Sequence, residues 1–382
     1  MRNPLLLALL LAAFAAPAQA KDPIVVCDAS GCASFGRDGI IDFAKEYEKN
    51  PRDLTLTILD HPFGFDVTGS GADVTSLRFT SAELGIDRTF NGANTAEVED
   101  RMEEFFKSDD FLKPFMRLIN SGAGGQLTSS PVSAVGMMVR SNFHEVMFSN
   151  LHTMEEKRGV PPGRDPSISG SFGQFNDRGY KGSSLSVTPG GTLDFGERRD
   201  RHLKLSLPLS QMSLEGLETY RVGLVTQYLH PFYLPRNTIL TVGPGVSYIA
   251  TGSMDLPNLS GLIGGAMSAT LNKDWNRWIG TLGTYYGHFR NLGGIDTDIQ
   301  ANVGGWGLQT GYRVTERTIA SLYLIGVHEK AGGFGASSYR TLGLAYSFRI
   351  AGKLGLTISA NKSFGLVGRR FAELGMGSAW FF

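Results

Sequence analysis

The fold is decided by residues 354–361, LGLTISAN, in which large apolar residues alternate with small or polar ones. Leu354, Leu356 and Ile358 fall on one side of an extended chain, while glycine, hydroxyl and amide groups fall on the other. This period of two is typical of a β-strand that has one apolar and one polar face. The stretch therefore predicts a strand that separates an apolar environment from a polar one.

The same alternation recurs through the C-terminal part of the chain. The clearest repeats are residues 202–209, 220–228, 240–248, 305–313, 342–350 and 373–382. Strand character without a clear outward face is found in residues 259–273, 277–289 and 317–328, and weaker repeats are residues 167–177 and 182–195. Counted with the first stretch they predict about twelve strands, and single-chain bacterial membrane barrels have an even number.

The links between these strands predict an antiparallel transmembrane β-barrel whose last strand ends in the periplasm. Short links alternate with longer ones, as expected for periplasmic turns and extracellular loops. The short links are 349–353, 314–317 and 272–276, and the longer ones are 327–338, 287–299 and 251–260. Residues 231–236 are predicted to form the longest periplasmic turn.

A soluble β-sandwich would also show alternation. Against it stand the length of the strands, the aromatic residues at their ends, and the closing run Trp380-Phe381-Phe382. A closing strand that faces lipid can bury such residues, so Trp380 and Phe382 are predicted to close the barrel. The fold class is therefore a membrane all-β protein with a C-terminal barrel, residues 166–382.

Residues 1–20 predict a secretory signal peptide. Arg2 precedes an apolar run from Leu5 to Phe14, and Ala18-Gln19-Ala20 fits cleavage after Ala20. The apolar run is too short to span a bilayer as an anchor. The expected location is the outer membrane, with outer-membrane lipid and the barrel assembly machinery as partners.

Charge and cysteine content narrow the choice of partners. The chain has 36 Lys and Arg residues and 36 Asp and Glu residues, which gives no support to nucleic-acid binding. Cys27 and Cys32 are the only cysteines, and in an oxidising compartment they predict a local disulfide. A redox site or a two-cysteine metal site is the alternative, but neither the spacing nor neighbouring ligands favour it. No metal or cofactor is expected.

The N-terminal region, residues 21–131, has an α+β pattern. Strands are predicted near residues 24–26 and 54–59, and helices at residues 38–49 and within 95–118. Acidic residues are dense between Glu97 and Asp110. A solvated helix face explains them, and a cation or partner patch is the alternative.

A further helix is predicted immediately before the barrel. Val135, Val139, Phe143 and Met147 recur at helical spacing within residues 132–157, and Gly159-Val160-Pro161-Pro162-Gly163 then interrupts regular structure. Residues 132–165 therefore form a helix and linker, and the helix is a candidate pore helix.

A helix followed by a twelve-stranded barrel that ends in Trp380-Phe381-Phe382 resembles the translocator barrels of autotransporters. The resemblance covers residues 132–382 and implies a barrel whose pore is occupied by the helix. Residues 21–131 depart from it, because they are too short and too globular for a long β-helical passenger.

Charged residues at inward positions are the candidate lumen groups. They are Lys204, Arg221, Arg313, Arg349 and Glu373. The cationic ones could attract anions or pair with acidic residues of the candidate pore helix, namely Glu145, Glu155 and Glu156. Solvation of a polar lumen and rim explains these residues without such a role and is the favoured interpretation.

Two histidines at proposed extracellular strand ends are candidates for catalysis. His288 and His328 lie near Glu329, Asp296 and Asp298 in the sequence, and a hydrolase would need an imidazole held by a carboxylate. Neither a G-x-S-x-G nor an H-E-x-x-H motif is present. The sequence therefore favours a non-enzymatic, autotransporter-like barrel whose short N-terminal domain is a plug or small passenger. The alternatives are a small-solute diffusion channel narrowed by that domain, and an outer-membrane hydrolase.

Overall fold

The computed structural model describes most of the chain after residue 23. The described residues are 24–35, 52–58, 60–70, 73–108, 110–111, 114–115, 118, 131, 133–144, 146–147, 165–177, 179–195, 201–215, 217–253, 258–294, 300–315, 317–331, 335–351, 354–365 and 369–380. The predicted signal peptide, the predicted helix 38–49 and Phe382 lie outside them. Among the described helices, none is long and apolar enough to span a bilayer.

The N-terminal domain is built on a six-stranded antiparallel sheet. Its strands are β1 (Ile24–Asp28), β2 (Gly31–Phe35), β3 (Leu54–Ile58), β4 (His61–Ser70), β5 (Asp73–Ser81) and β6 (Ile86–Asn91), paired in the order β2-β1-β3-β4-β5-β6. Helix α1 (Thr95–Lys107) follows. The helix begins at Asn94, whose side chain accepts a hydrogen bond from the Glu97 amide, and it ends at Ser108.

Phenylalanine side chains form the core of the N-terminal domain. Phe79 lies 1% exposed between β4 and the chain around α1, with ring centroids 5.2 Å from Phe65 and 5.8 Å from Phe111. The opposite face of α1 is solvated: the side chain of Glu97 lies 2.5 Å from that of Arg101, four residues further along the helix. This agrees with the solvated-face interpretation of the acidic residues.

The second sheet closes on itself as a barrel. Its strands are β7 (Asp165–Asp177), β8 (Tyr180–Phe195), β9 (Arg201–Ser206), β10 (Leu209–Leu214), β11 (Leu217–Leu234), β12 (Thr238–Ser253), β13 (Asn258–Trp275), β14 (Trp278–Gly294), β15 (Gln300–Thr315), β16 (Thr318–Ala331), β17 (Gly335–Ala351), β18 (Leu354–Phe364) and β19 (Arg369–Trp380). Both β9 and β10 pair with β8 and with β11, and β19 pairs with β7. Because β9 and β10 are one strand interrupted at Leu207 and Pro208, the barrel has twelve strands, as predicted.

The faces of the barrel strands agree with the alternation in the sequence. Leu342, Leu344 and Tyr346 are exposed on the outside, whereas Gly343 and Ala345 between them are buried. Residues 259–273, 277–289 and 317–328, whose outward face was ambiguous in the sequence, also alternate between the two faces. On β16, for example, the odd-numbered residues are buried and face inward. Apolar side chains exposed around the whole wall are expected only where lipid covers them, so the barrel is an outer-membrane barrel.

The connections between strands lie at two opposite ends of the barrel, which we call distal and proximal. The distal end holds connections 178–179, 215–216, 254–257, 295–299, 332–334 and 365–368, and the proximal end holds 196–200, 235–237, 276–277, 316–317 and 352–353. The start of β7 and the end of β19 lie at the proximal end, because Ala379 pairs with Ser167.

The predicted connections were too long. Strands β11 to β17 extend into the segments assigned to loops, so that 327–338 shortens to residues 332–334 and 251–260 to residues 254–257. The predicted turn 231–236 was also wrong, since Pro231 lies within β11 opposite Thr241 and the turn is 235–237. A proline can occupy a strand where its missing N–H group is not required by the ladder.

Candidate functional site: the plugged lumen

A short helical segment lies inside the barrel. Helix α2 (Ala134–Val139) begins at Ser133, whose hydroxyl accepts a hydrogen bond from the Gly136 amide at 3.0 Å, and a π-helical turn, Arg140–His144, continues it. Every residue of α2 is buried, which only a segment surrounded by other protein can achieve. We call residues 131–147 the plug segment.

Apolar side chains of the plug segment fill hollows in the barrel wall. A Cβ atom at Gly283 would lie 2.3 Å from the Met147 sulfur and 2.9 Å from the Phe143 ring, and one at Gly307 would lie 2.9 Å from Met147. The Phe143 ring also packs against Tyr285, with centroids 5.6 Å apart. These glycines therefore admit large side chains that a wall residue with a Cβ would displace.

Part of the inner wall around the plug segment is apolar, although buried polar residues such as Gln227, Ser247 and Thr341 lie on the same inner face. The wall residues buried in one cluster with α2 are Ile249, Leu262, Tyr285, Phe289, Ala301, Val303, Tyr323, Ile325, Val327, Ala331, Tyr339 and Ala345. The lumen, which the sequence predicts to be polar, therefore carries an apolar sector as well as polar residues. Apolar packing of this kind excludes water and holds the plug segment in place.

A polar network fixes the position of Asn142 against the wall. Its Nδ2 donates to the Ser247 hydroxyl at 2.6 Å, and its backbone carbonyl accepts from Nε2 of Gln227 at 2.9 Å. The same Gln227 amide lies 2.9 Å from the Ser268 hydroxyl. Because all four residues are buried, the network gives the plug segment one preferred register.

An ion pair joins the plug segment to the last barrel strand. The Arg140 guanidinium donates to both carboxylate oxygens of Glu373, with the Nη2–Oε2 distance at 2.6 Å, and Nη1 also lies 3.1 Å from the Ser171 hydroxyl. The Glu373 side chain is 5% exposed and that of Arg140 is 28% exposed. Two parallel hydrogen bonds between charged groups form the strongest kind of polar side-chain contact.

The space left beside this ion pair is small. A cavity of about 10 Å³ is lined by plug and wall residues that include Arg140, His144, Tyr339, Asn361 and Glu373. That volume is close to the minimum that holds one water molecule. Around the Arg140–Glu373 pair, the described part of the lumen is therefore occupied by protein.

The N-terminal domain contacts the distal end of the barrel. Tyr180 and Leu214 are buried in the same apolar cluster as Phe63 and Phe115 of the N-terminal domain. The Tyr180 hydroxyl is also hydrogen-bonded to the Asp60 side chain. Both barrel residues flank two-residue connections, 178–179 and 215–216, which leave room for the domain to approach.

The plug segment connects this contact to the barrel wall. Pro131 lies beside Phe371 in the distal half of β19, whereas Asn142 lies beside Ser247 and Gln227 in the middle of their strands. The barrel then begins with Asp165 at the proximal end. The chain therefore runs from the distal domain into the lumen before it enters the first strand.

The structure shows what lies next to the candidate lumen residues. The Arg313 guanidinium binds Asp274 of the neighbouring wall at 2.9 Å and 3.0 Å, so it does not face an acidic plug. Glu373 does bind the plug segment. In this pair the acidic residue lies in the wall and the basic residue, Arg140, lies in the plug segment, which is the opposite of the pairing considered from the sequence. Arg221 is buried with Nη2 3.7 Å from the Met212 sulfur, and Lys204 is half-buried opposite Thr192 and Gln227.

Some of the remaining residues named from the sequence lie in described strands, and others lie outside the described residues. Arg349 pairs with Gly355 and Trp380 with Leu354 through their backbones, while Glu155 and Glu156 lie outside the described residues. The sulfur atoms of Cys27 and Cys32 are bonded at 2.02 Å across the β1–β2 hairpin. Among the described residues, no group of three His, Cys, Asp or Glu side chains could hold a metal ion.

The two candidate catalytic histidines lie on the outer face of the barrel. Nδ1 of His288 is 2.9 Å from the side-chain amide oxygen Oδ1 of Asn302, and Nδ1 of His328 is 2.6 Å from the Ser338 hydroxyl. Glu329 faces inward and is buried, and Asp296 and Asp298 lie outside the described residues. The described residues thus do not bring an imidazole and a carboxylate together at this place.

Sequence reasoning missed the residues that hold the plug segment. Arg140 was visible as a charged residue beside an apolar helical stripe, and that position was the available signal. Asn142, Gln227 and the wall glycines carried none, because their partners are distant in the sequence.

Comparisons with known proteins give likenesses of fold only. No protein-family model and no curated protein matches the sequence. The β domain of the Bordetella autotransporter BrkA is 14% identical, with a TM-score of 0.44 over 58% of this chain and 100% of that one. The translocator domain of the autotransporter NalP from Neisseria meningitidis is 11% identical, with a TM-score of 0.42 over 65% and 100%. An outer membrane channel from Pseudomonas putida F1 is 12% identical, with a TM-score of 0.49 over 59% and 97%.

Proposed function

We propose that this outer-membrane barrel works in the manner of an autotransporter, displaying its own small N-terminal domain outside the cell on a lumen closed by the plug segment. The observation that carries the proposal is the path of the chain. The domain contacts the distal end, residues 131–147 occupy the lumen, and the first strand starts at the proximal end.

The lengths of the connections support one orientation of the barrel in the membrane. Three of the five proximal connections have two residues, whereas four of the six distal ones have three or more. Short turns face the periplasm in barrels of this kind, and longer loops face the outside. With the proximal end in the periplasm, the N-terminal domain stands at the cell surface.

The packing of the lumen supports a closed barrel over a diffusion channel. An open channel needs a continuous polar, hydrated path. The plug segment instead packs against apolar wall residues and is bound to the wall by the Arg140–Glu373 ion pair. A twelve-stranded barrel has a narrow bore that a single helical segment can occupy.

Conductance in planar bilayers separates the two functions. We expect the mature chain and a variant lacking residues 24–118 to conduct weakly, because both retain the plug segment. A variant lacking residues 24–157 is expected to form a stable open pore. High conductance of the mature chain would support the diffusion channel and contradict the closed barrel.

A further inference from the structure

One sector of the outer wall changes from apolar to basic toward the distal end. On β17, the outward residues Leu344 and Leu342 are followed by Arg340, and on β18 the outward residue Ile358 is followed, after Ala360, by Lys362. The neighbouring strands end in the same way. We call the exposed basic residues at the distal ends of strands β14 to β18 the basic belt. They are Arg290, Lys330, Arg340 and Lys362.

Exposed aromatic side chains mark where this sector leaves the membrane. Trp306 is paired with Gly326, which is paired with Arg340, and Arg340 in turn is opposite Phe364. The Trp306 ring covers Gly326 so closely that a Cβ atom there would lie 2.4 Å from it. Because aromatic residues on a barrel surface gather at the membrane–water interface, Arg340 stands at the depth of lipid headgroups.

The spacing of the basic belt suits a headgroup with more than one anionic group. Arg340 and Lys362 are diagonal neighbours on adjacent strands, about 7–8 Å apart at their Cα atoms, so their long side chains can meet at one anion. Lys330 lies four residues beyond the partner of Arg340, which is roughly 13 Å further from the membrane core along the strand.

No carboxylate neutralises this sector within the described residues. Along strands β14 to β18 the one described acidic residue is Glu329, which is buried and faces inward. On the other side of the barrel, by contrast, Lys181 is accompanied by Glu215 and Glu218. The positive charge at the distal rim is therefore concentrated on one sector of the wall.

We propose that the basic belt binds the phosphate groups of a phosphorylated glycolipid in the outer leaflet, of the lipid A type. The assignment of the belt to the outer leaflet rests on the orientation given under the proposed function. A guanidinium binds phosphate through two parallel hydrogen bonds, and an ammonium adds charge at the same place. Because these side chains begin on the lipid-facing wall directly beyond the apolar band, a membrane lipid presents its phosphate there more readily than a soluble anion does.

The test uses the purified full chain in detergent and native mass spectrometry. Bisphosphorylated lipid A is compared with the same lipid after removal of its phosphates. We expect phosphate-dependent binding that falls about tenfold or more in the R340Q/K362Q double variant, since each charge-assisted hydrogen bond contributes roughly a factor of ten. The matched control is R277Q/R317Q, which removes two exposed cations from the proximal rim and should change binding less than about twofold.

Three outcomes would overturn the proposal. Equal binding of the dephosphorylated lipid would show that the phosphate is not recognised, and equal losses in the two double variants would show that the site is not at the belt. Competition by inorganic phosphate at concentrations comparable to the lipid would identify a free-anion site instead. Heat-modifiable migration on gels verifies that each variant is folded. Since binding is measured on purified protein, its failure is distinct from a failure of the proposed display of the N-terminal domain.

Discussion

The Arg140 guanidinium, inside the barrel, hydrogen-bonds both carboxylate oxygens of Glu373 in the wall, although 233 residues separate the two in the sequence. The contact ties the plug segment to the last strand of the barrel, which itself pairs with the first strand. A single side-chain pair therefore joins the segment inside the lumen to the strand that closes the barrel.

Breaking this ion pair should loosen the plug segment. Glu373→Gln leaves Arg140 in a confined site without its counter-charge, and loss of one partner of a buried pair costs about 3–5 kcal/mol. We expect the conductance of the variant in planar bilayers to rise several-fold through more frequent openings. The exchange R140E/E373R should recover part of the closure. Arg313→Gln, which breaks a pair within the wall alone, is the control and should leave the conductance low.

A larger residue at Gly245 should displace Asn142. A Cβ atom there would lie 2.7 Å from the side-chain amide oxygen Oδ1 of Asn142 and 3.1 Å from the Thr226 backbone oxygen, so Gly245→Val forces the polar network apart. We expect a lower melting temperature and faster proteolysis within residues 131–147. Gly304→Val introduces the same side chain where nothing lies within 4 Å of the Cβ position. Equal melting temperatures for the two variants would contradict the assigned packing.

The contact between the N-terminal domain and the barrel should depend on Tyr180 and Leu214. Removing the Tyr180 ring while introducing a charge, in Y180A/L214D, takes away two buried apolar contacts and the hydrogen bond to Asp60. Hydrogen exchange at the domain surface around Phe63 should accelerate, while exchange in the strands β13 to β16 stays unchanged. Leu185→Ala, on the lipid-facing side of the same strand, is the control. Unchanged exchange near Phe63 in the double variant would indicate that the domain is held elsewhere.

The disulfide-bonded hairpin should have an acid-resistant carboxylate. Hydrogen bonds from the Ser30 hydroxyl, from Arg52 and from the Ser30 amide lower the pKa of Asp28 to about 2. Because this pKa lies below that of an unfolded aspartate, the stabilisation is fully present above about pH 4. It is lost as the pH falls through about 2. An NMR titration of Asp28 should show this pKa and its rise in Ser30→Ala; a value near 4 in the unmodified chain would contradict it.

The barrel was predictable because its signal is local. Each strand carries its own alternation, and strand number, facing and closure follow from repeating it, as at Leu342, Leu344 and Tyr346. Strands β4 to β6 were not predicted, since His61–Ser70 and Ile86–Asn91 are interrupted by glycine and charged residues and their apolar faces are covered by α1. The Arg140–Glu373 pair and the hollows at Gly283 and Gly307 could not be found, because they depend on which distant strands the plug segment meets.

Display of the N-terminal domain at the cell surface is tested by its accessibility to protease. A specific protease site is inserted in the exposed turn between β5 and β6, after Glu83, and a matched site is inserted in the proximal turn after Asn276. Intact cells and cells with permeabilised outer membranes are treated with the protease. We expect cleavage after Glu83 in intact cells and cleavage after Asn276 only after permeabilisation. Protection of the Glu83 site until permeabilisation would contradict display of the domain at the cell surface.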